Sequence, residues 1–378
     1  MRSLFGEGSR RWIGGHRLTL LKDGAEIVPA MLHAIEGATR SVHLETYIFR
    51  GDDTGRQFIR ALCDKAGHGV SVKLIYDALG SLTTPREVFA AMAAAGVDVF
   101  EYHPLSPWNP GWRLKRRDHR KLLIVDDRVG FVGGMNIGNE YADPGRGGGG
   151  WRDTQVRIEG PAVGILQRIF LRTWSKNPAS TGDRWGEGRS PIPAVGDSTV
   201  AVAASWGRRR RNPIKRSYLD AIRRARSHIY LTSSYFVPPP RILWALKMAR
   251  RRGVHVLILV PARSDVRVVD YAGRALYDQL LQWGVRIFEW RGPVLHAKTA
   301  VIDGMWSTVG SYNMDYLSFF YNLEANVMIR DGVFAAAMEA MFRDDLRQSG
   351  EIVPAEWRRR HPVRKVLETA LYYLLAWF

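Results

Sequence analysis

The chain is poor in cysteine, in long apolar runs and in acidic residues, and each shortage narrows what it can be. Its 378 residues include one cysteine, Cys63, so no disulfide forms within the chain, which fits a reducing compartment. No run of about 18 apolar residues occurs, so no spanning helix is expected. The opening stretch MRSLFGEGSRR lacks the apolar centre of a signal peptide, so a soluble or peripheral protein is expected. There is no H-E-x-x-H segment and no cysteine cluster, so neither a metal nor another cofactor is implied. Against 37 Asp and Glu stand 55 Lys and Arg, a formal net charge of +18. Such a surplus attracts polyanions. Nucleic acid and an anionic bilayer both fit, and an arginine-rich codon bias would give the same surplus with no partner.

What is present is a pattern written twice. HRKLLIVD (119–126) is followed by GGMN (133–136), and HAKTAVID (296–303) by GSYN (310–313). In both copies Lys stands two places after His, Asp seven and Asn seventeen. An apolar run flanked by glycines reads as a strand buried on both faces. At period two, His119 and Lys121 leave one face of that strand, as do His296 and Lys298. Asp126 and Asp303 have the opposite parity and close the strand, which suits holding a turn. Asn136 and Asn313 keep equal spacing from the two histidines, which favours a place at a site over a turn role.

The repeated H-x-K-x4-D with its downstream G-[SG]-x-N resembles the phospholipase D superfamily. RSVHLETYIF, WRDTQVRIEGP and VGSYNMDYLS with the later NLEANV make the chain most similar to bacterial cardiolipin synthases, in the form without N-terminal membrane helices. The resemblance covers most of the chain. It implies two similar phospholipase D-like α/β/α sandwich domains, related by a pseudo-two-fold axis and sharing one active site.

Taken in order, residues 1–15 form a basic arm and residues 16–175 a first domain in which strands and helices alternate, as in an α/β layer with a largely parallel sheet. Residues 176–197, rich in Pro, Gly and Ser, read as a linker. Residues 198–350 repeat the first domain: RSHIYLTSSYF answers RSVHLETYIF, and WGVRIFEW answers AGVDVFEY. Residues 351–378 are basic and then apolar, either a helix docked on the body or an amphipathic helix that meets anionic headgroups.

The resemblance assigns the chemistry. A phosphodiester needs positive charge on its equatorial oxygens, a nucleophile on one side and an acid on the other. His119 is expected as the nucleophile forming a phosphohistidine, and His296 as acid and then base. Lys121 and Lys298 supply charge, and Asn136 and Asn313 supply donors; with Asp126 and Asp303 these complete the two motifs. Each histidine needs a carboxylate to orient it. Counted from the histidine of its own half, Glu324 lies 28 residues past His296 and Asp153 lies 34 past His119. The second offset is lengthened by a run of four glycines, and Gly134 stands where the other half has Ser311.

The expected reaction is phosphatidyl transfer between two phosphatidylglycerols, releasing glycerol, with an anionic phospholipid membrane as partner. Trp108, Trp112, Arg113, Lys115, Arg116 and Arg117 precede the first motif and are expected to contact that membrane. The basic run 208–211 beside Trp206 adds to the same surface. Hydrolysis or transfer on other phospholipids is the alternative. Nucleic acid, which aromatic and basic residues together can also bind, is not the expected partner. A membrane-binding module without activity does not suit two intact motifs. The oligomeric state is left open.

Overall fold

The computed structural model describes residues 11–105, 116–180, 191–207 and 212–377. Trp108, Trp112, Arg113, Lys115, the run 208–211, most of the N-terminal arm and the centre of the linker lie outside the described residues.

The first half contributes strands β1 (Ile13–Lys22), β2 (Ser41–Thr46), β3 (Ser71–Asp77), β4 (Asp98–Tyr102), β5 (Leu122–Val125), β6 (Val129–Gly133) and β7 (Thr154–Glu159). The second contributes β8 (Ser198–Ala204), β9 (His228–Ser233), β10 (His255–Pro261), β11 (Arg286–Trp290), β12 (Lys298–Ile302), β13 (Trp306–Gly310), β14 (Ala325–Arg330) and the short β15 (Ser349–Glu351). The order in space is β1-β7-β6-β5-β2-β3-β4 in one half and β8-β14-β13-β12-β9-β10-β11-β15 in the other. Strand for strand, β8 to β14 repeat β1 to β7, and β15 is an addition at the edge of the second half. β1 and β8 pair antiparallel at the seam, so the two sheets run on into one another.

The sheet is mixed, which corrects the expectation of a largely parallel one. Only β2-β3-β4 and β9-β10-β11 run parallel, because helices cross over between them. The motif strand turns straight back after three residues into β6, and β6 pairs antiparallel with β7. A hairpin connection of that length permits no other direction.

Alternation along the motif strand shows why both of its faces are apolar. Leu123 and Val125 pack with Ile27, Met31, Phe58 and Leu62 from the helices Asp23–Glu36 and Asp53–Gly67. Leu122 and Ile124 point the other way, toward Leu166 and Phe170 of the helix Val163–Trp174. That second cluster also takes in Val200, Val202, Val327 and Ile329 of the second half, and Phe334 and Met338 of the helix Gly332–Arg347. One core therefore spans the seam. At roughly 1.5–3 kcal/mol per buried aliphatic side chain, the halves are held together by the same force that folds each of them.

Candidate active site

Each motif histidine is carried on the extended entry to its strand and is tied there by the other half. The motif strands begin at Leu122 and Lys298, so the histidines precede them instead of lying within them. The amide of His119 donates to the carbonyl of Leu323 at 2.9 Å, and that of His296 to the carbonyl of Arg152 at 2.7 Å. Isolated parallel bridges join Asp118 to Leu323 and Arg152 to Leu295. These cross-links set the residue after each bridge, Glu324 or Asp153, beside the histidine of the opposite half.

The carboxylates are consequently exchanged. His119 Nδ1 lies 3.0 and 3.1 Å from the two oxygens of Glu324, and His296 Nδ1 lies 2.8 Å from Asp153 Oδ2. This corrects the assignment of each carboxylate to the histidine of its own half: counting along one chain cannot detect a partner brought in across a seam. With Nδ1 engaged, each ring has Nε2 left for chemistry.

Two lysines complete the centre, each folded back on its own motif. Lys121 Nζ donates to the carbonyl of His119 at 2.7 Å, and Lys298 Nζ to the carbonyl of His296. Burial pulls Lys121 down to about 7 and Lys298 to about 8, with repulsion from Lys298 adding to the shift of Lys121, although Glu324 and Asp153 oppose both. Burial also lowers both histidines. Glu324 partly offsets that for His119, and for His296 the nearby lysines add to it. Such a site is short of negative charge and would regain its protons on receiving an anion.

The two dyads differ in their supports. Burial alone would raise Glu324, but His119, Lys121 and the Ser311 hydroxyl outweigh it and hold Glu324 below the usual range. Ser311 and Ser318 both donate to it. On the other side Asp153 is pushed up to about 6 by burial, which Lys298 and the Thr154 amide do not cancel. Ser311 is replaced there by Gly134 for a steric reason: a Cβ at Gly134 would stand 2.3 Å from Asp153 Oδ1. Ser318 corresponds to Tyr141, whose hydroxyl lies 3.3 Å from His296 Nδ1 and accepts from Asn136 Nδ2 at 2.7 Å. Asn136 also accepts from the Ile48 amide at 3.2 Å. Asn313 instead accepts from Ser234 at 2.7 Å.

Asp126 and Asp303 lie away from this centre. Each adopts a left-handed backbone, φ 53° and 54°. The Asp126 carboxylate accepts from the amides of Thr39, Arg40 and Ser41, and that of Asp303 from the amides of Arg226, Ser227 and His228. They close the far ends of the motif strands, roughly 20 Å of extended chain from the histidines, and take no part in the chemistry. This corrects their grouping with the catalytic residues. Arg117 is corrected as well. It is buried, 3.5 Å from Asp77, and donates to the carbonyl of His103, so it anchors the entry to the motif and does not meet a membrane. Arg116 is half-buried and donates to the carbonyl of Trp206.

Sequence reasoning missed Tyr47, edge-on to His119 at 5.1 Å, along with Tyr141 and Ser318. The register between the two halves carried a signal for the last two, since both stand five residues past the motif asparagine. It also missed Arg120 and Arg152. Buried Arg120 donates across the seam to the carbonyls of Ser205 and Glu324, and Arg152 forms a two-point pair with Asp345 of the second half. Among the described residues no group of His, Cys, Asp or Glu is arranged to hold a metal ion, and no helix is long and apolar enough to cross a membrane.

Two repeated halves, each delivering a His-x-Lys entry to one charged centre, define the phospholipase D class of phosphodiester enzyme. Residues 31–170 and 218–346 match the family described as cardiolipin synthase, PLD-like domain. The chain is 34% identical over 343 residues to the probable cardiolipin synthase YwiE of Bacillus subtilis, covering 91% of this chain and 68% of that one. It is 35% identical over 376 residues to a cardiolipin synthase of Geobacillus kaustophilus, covering 96% and 74%. Its fold is shared with the phosphatidylserine synthase of Haemophilus influenzae at a TM-score of 0.71 and 14% identity, over 95% of this chain and 93% of that one. The chain belongs to the cardiolipin synthase family of the phospholipase D superfamily, whose members are phosphatidyltransferases.

Proposed function

We propose that this enzyme transfers a phosphatidyl group from one phosphatidylglycerol to the primary hydroxyl of a second, releasing glycerol and forming cardiolipin. The exchanged His–carboxylate dyads carry the reading, since they give one centre two oriented imidazoles. His119 Nε2 attacks phosphorus while the bond from phosphorus to the glycerol oxygen breaks, and His296 gives that oxygen its proton. Glycerol leaves. The second lipid's hydroxyl then yields its proton to His296 and attacks phosphorus, which frees His119. Lys121, Lys298 and the amide of Asn313 meet the charge on the equatorial oxygens.

The supports favour this order of roles. Glu324, held ionised by His119, Lys121 and the Ser311 hydroxyl, keeps the His119 proton on Nδ1 and leaves Nε2 with its lone pair. That is the state a nucleophile needs. The net charge of +18 supports peripheral work on the anionic cytoplasmic face of the cell membrane.

Purified protein incubated with phosphatidylglycerol vesicles should yield cardiolipin and glycerol in equal amounts, and His119→Ala should yield neither. Enzyme denatured in detergent at mildly alkaline pH, where a phosphohistidine survives, should retain the phosphatidyl group on His119. Nicking of single-stranded DNA with no lipid product would sink the proposal. Release of phosphatidic acid, or transfer on other phospholipids, would replace it with the broader phospholipase activity.

A further inference from the structure

The helix Pro362–Trp377 is mounted with its polar side inward. Lys365 reaches toward Asp278 at 3.9 Å, Glu368 is buried against Arg360 at 2.8 and 2.9 Å, and Tyr372 packs on the core of the second half. At 3.6 residues per turn, the opposite side carries Val363, Val366, Leu367, Ala370, Tyr373 and Leu374. All six are exposed, and the five large ones keep 50–69% of their surface. A helix serving only its own fold turns the apolar stripe to the core. Here that stripe faces out along three turns, with no charged residue on it.

Its place in the fold links it to the site. The helix packs on Arg267–Arg274, which begins two residues past Asp265. The Asp265 charge acts on both His296 and Lys298, and its carboxylate accepts from the Tyr235 hydroxyl at 2.8 Å. Val266 on this connecting segment and Val268 in the helix it leads into are also exposed, and so is Leu317 in the short helix Tyr316–Phe320 past Asn313. Basic charge gathers where the stripe begins: Arg358, Arg359 and Arg364 are exposed there, against one exposed acid, Glu356.

We infer that the outward face of Pro362–Trp377 is a foot that seats the enzyme on an anionic phospholipid bilayer, with its apolar stripe between the acyl chains and its arginines among the headgroups. The inference rests on the lipid reading above and adds how substrate reaches the centre: a lipid entering beside the foot need not leave the bilayer completely.

The test separates docking from chemistry. Co-sedimentation with vesicles of phosphatidylglycerol and phosphatidylcholine is compared for the full chain and a Val366→Glu, Leu367→Glu, Leu374→Glu variant, beside turnover of dihexanoyl phosphatidylglycerol below its micellar concentration. The variant should bind vesicles at least tenfold more weakly while turnover of the monomeric lipid stays within twofold. Because these positions already face solvent, the fold should hold, and Leu367→Ser supplies a milder change in the same direction. Replacing Arg358 and Arg359 with Gln should weaken binding about fivefold per charge at low salt. Vesicle affinity within twofold of the parent would overturn the inference. So would a dimeric parent that the variant makes monomeric with vesicle binding kept, because a second copy would then be what covers the stripe. Absence of any lipid product alongside an affinity drop would sink the transfer reading and leave docking in place.

Discussion

Gly134 gives a sharp test of how the second dyad is held. A Cβ at this position would lie 2.3 Å from Asp153 Oδ1 and 2.8 Å from Oδ2, where ordinary contact begins near 3.4 Å. In Gly134→Ala the carboxylate must therefore retreat by about 1 Å, and a displacement of that size at a reacting group costs on the order of 100-fold in rate. Asp153 is also held by the Thr154 amide at 2.7 Å, so retreat breaks a buried hydrogen bond as well. Overpacking of this kind costs about 1–3 kcal/mol of stability. The matching change in the other half, Ser311→Gly, creates space and removes one donor to Glu324, a loss of about 1 kcal/mol. The assay is the initial rate of cardiolipin formation in mixed micelles, read beside urea midpoints for the parent and both variants. Gly134→Ala should fall about 100-fold in kcat with a modest loss of stability, and Ser311→Gly should fall much less. A Gly134→Ala enzyme within threefold of the parent would refute the claim that the His296 carboxylate has no room to move.

Glu324→Gln and Asp153→Asn should each lower kcat by about 1,000- to 10,000-fold, the scale seen when a histidine loses its orienting carboxylate; denaturation at mildly alkaline pH should trap the phosphohistidine in the parent and none in the first variant. Lys121 sits at about 7 in the folded protein, far below an ordinary lysine near 10.4. The unfolded chain then holds the extra proton between those values, so this group's contribution to stability rises with pH across that window and is least favourable below pH 7. Lys121→Met should accordingly stabilise the ligand-free protein at pH 6, by an amount on the order of 4 kcal/mol, and by much less at pH 10, as read from denaturant midpoints. The same depressed lysine predicts proton uptake when inorganic phosphate binds at pH 8, measurable by calorimetry in buffers of different ionisation enthalpy. Asp126→Ala removes the acceptor for three backbone amides and should cost about 2–3 kcal/mol while leaving kcat of the folded fraction unchanged.

The duplication was legible because each motif strand is buried on both faces and must repeat its apolar run. The elements around it were legible because amphipathic helices and strands keep their periods. Sheet direction was not, since alternating strands and helices suggest crossovers and the hairpin between β5 and β6 depends on three turn residues. Arg117 read as surface because charge is ordinarily solvated, and its buried partner Asp77 lies forty residues earlier in the sequence. The exchange of Glu324 and Asp153 was hidden more deeply. It depends on two isolated bridges across the seam, and no local pattern records which half supplies the neighbouring strand. Gly134 looked like a lost hydroxyl, whereas the structure shows a position where only hydrogen fits.

The swapped carboxylates have a genetic consequence. A chain severed between its halves would give two polypeptides that are each inert, because each would hold a nucleophile or an acid with no residue to aim it. Mixed, they should complement, and a fragment carrying Glu324→Gln should fail with every version of its mate. Ancestry by gene doubling would thus have ended the independence of the copies once the trade was made, for neither could afterwards mutate its acidic residue without disabling the other's imidazole.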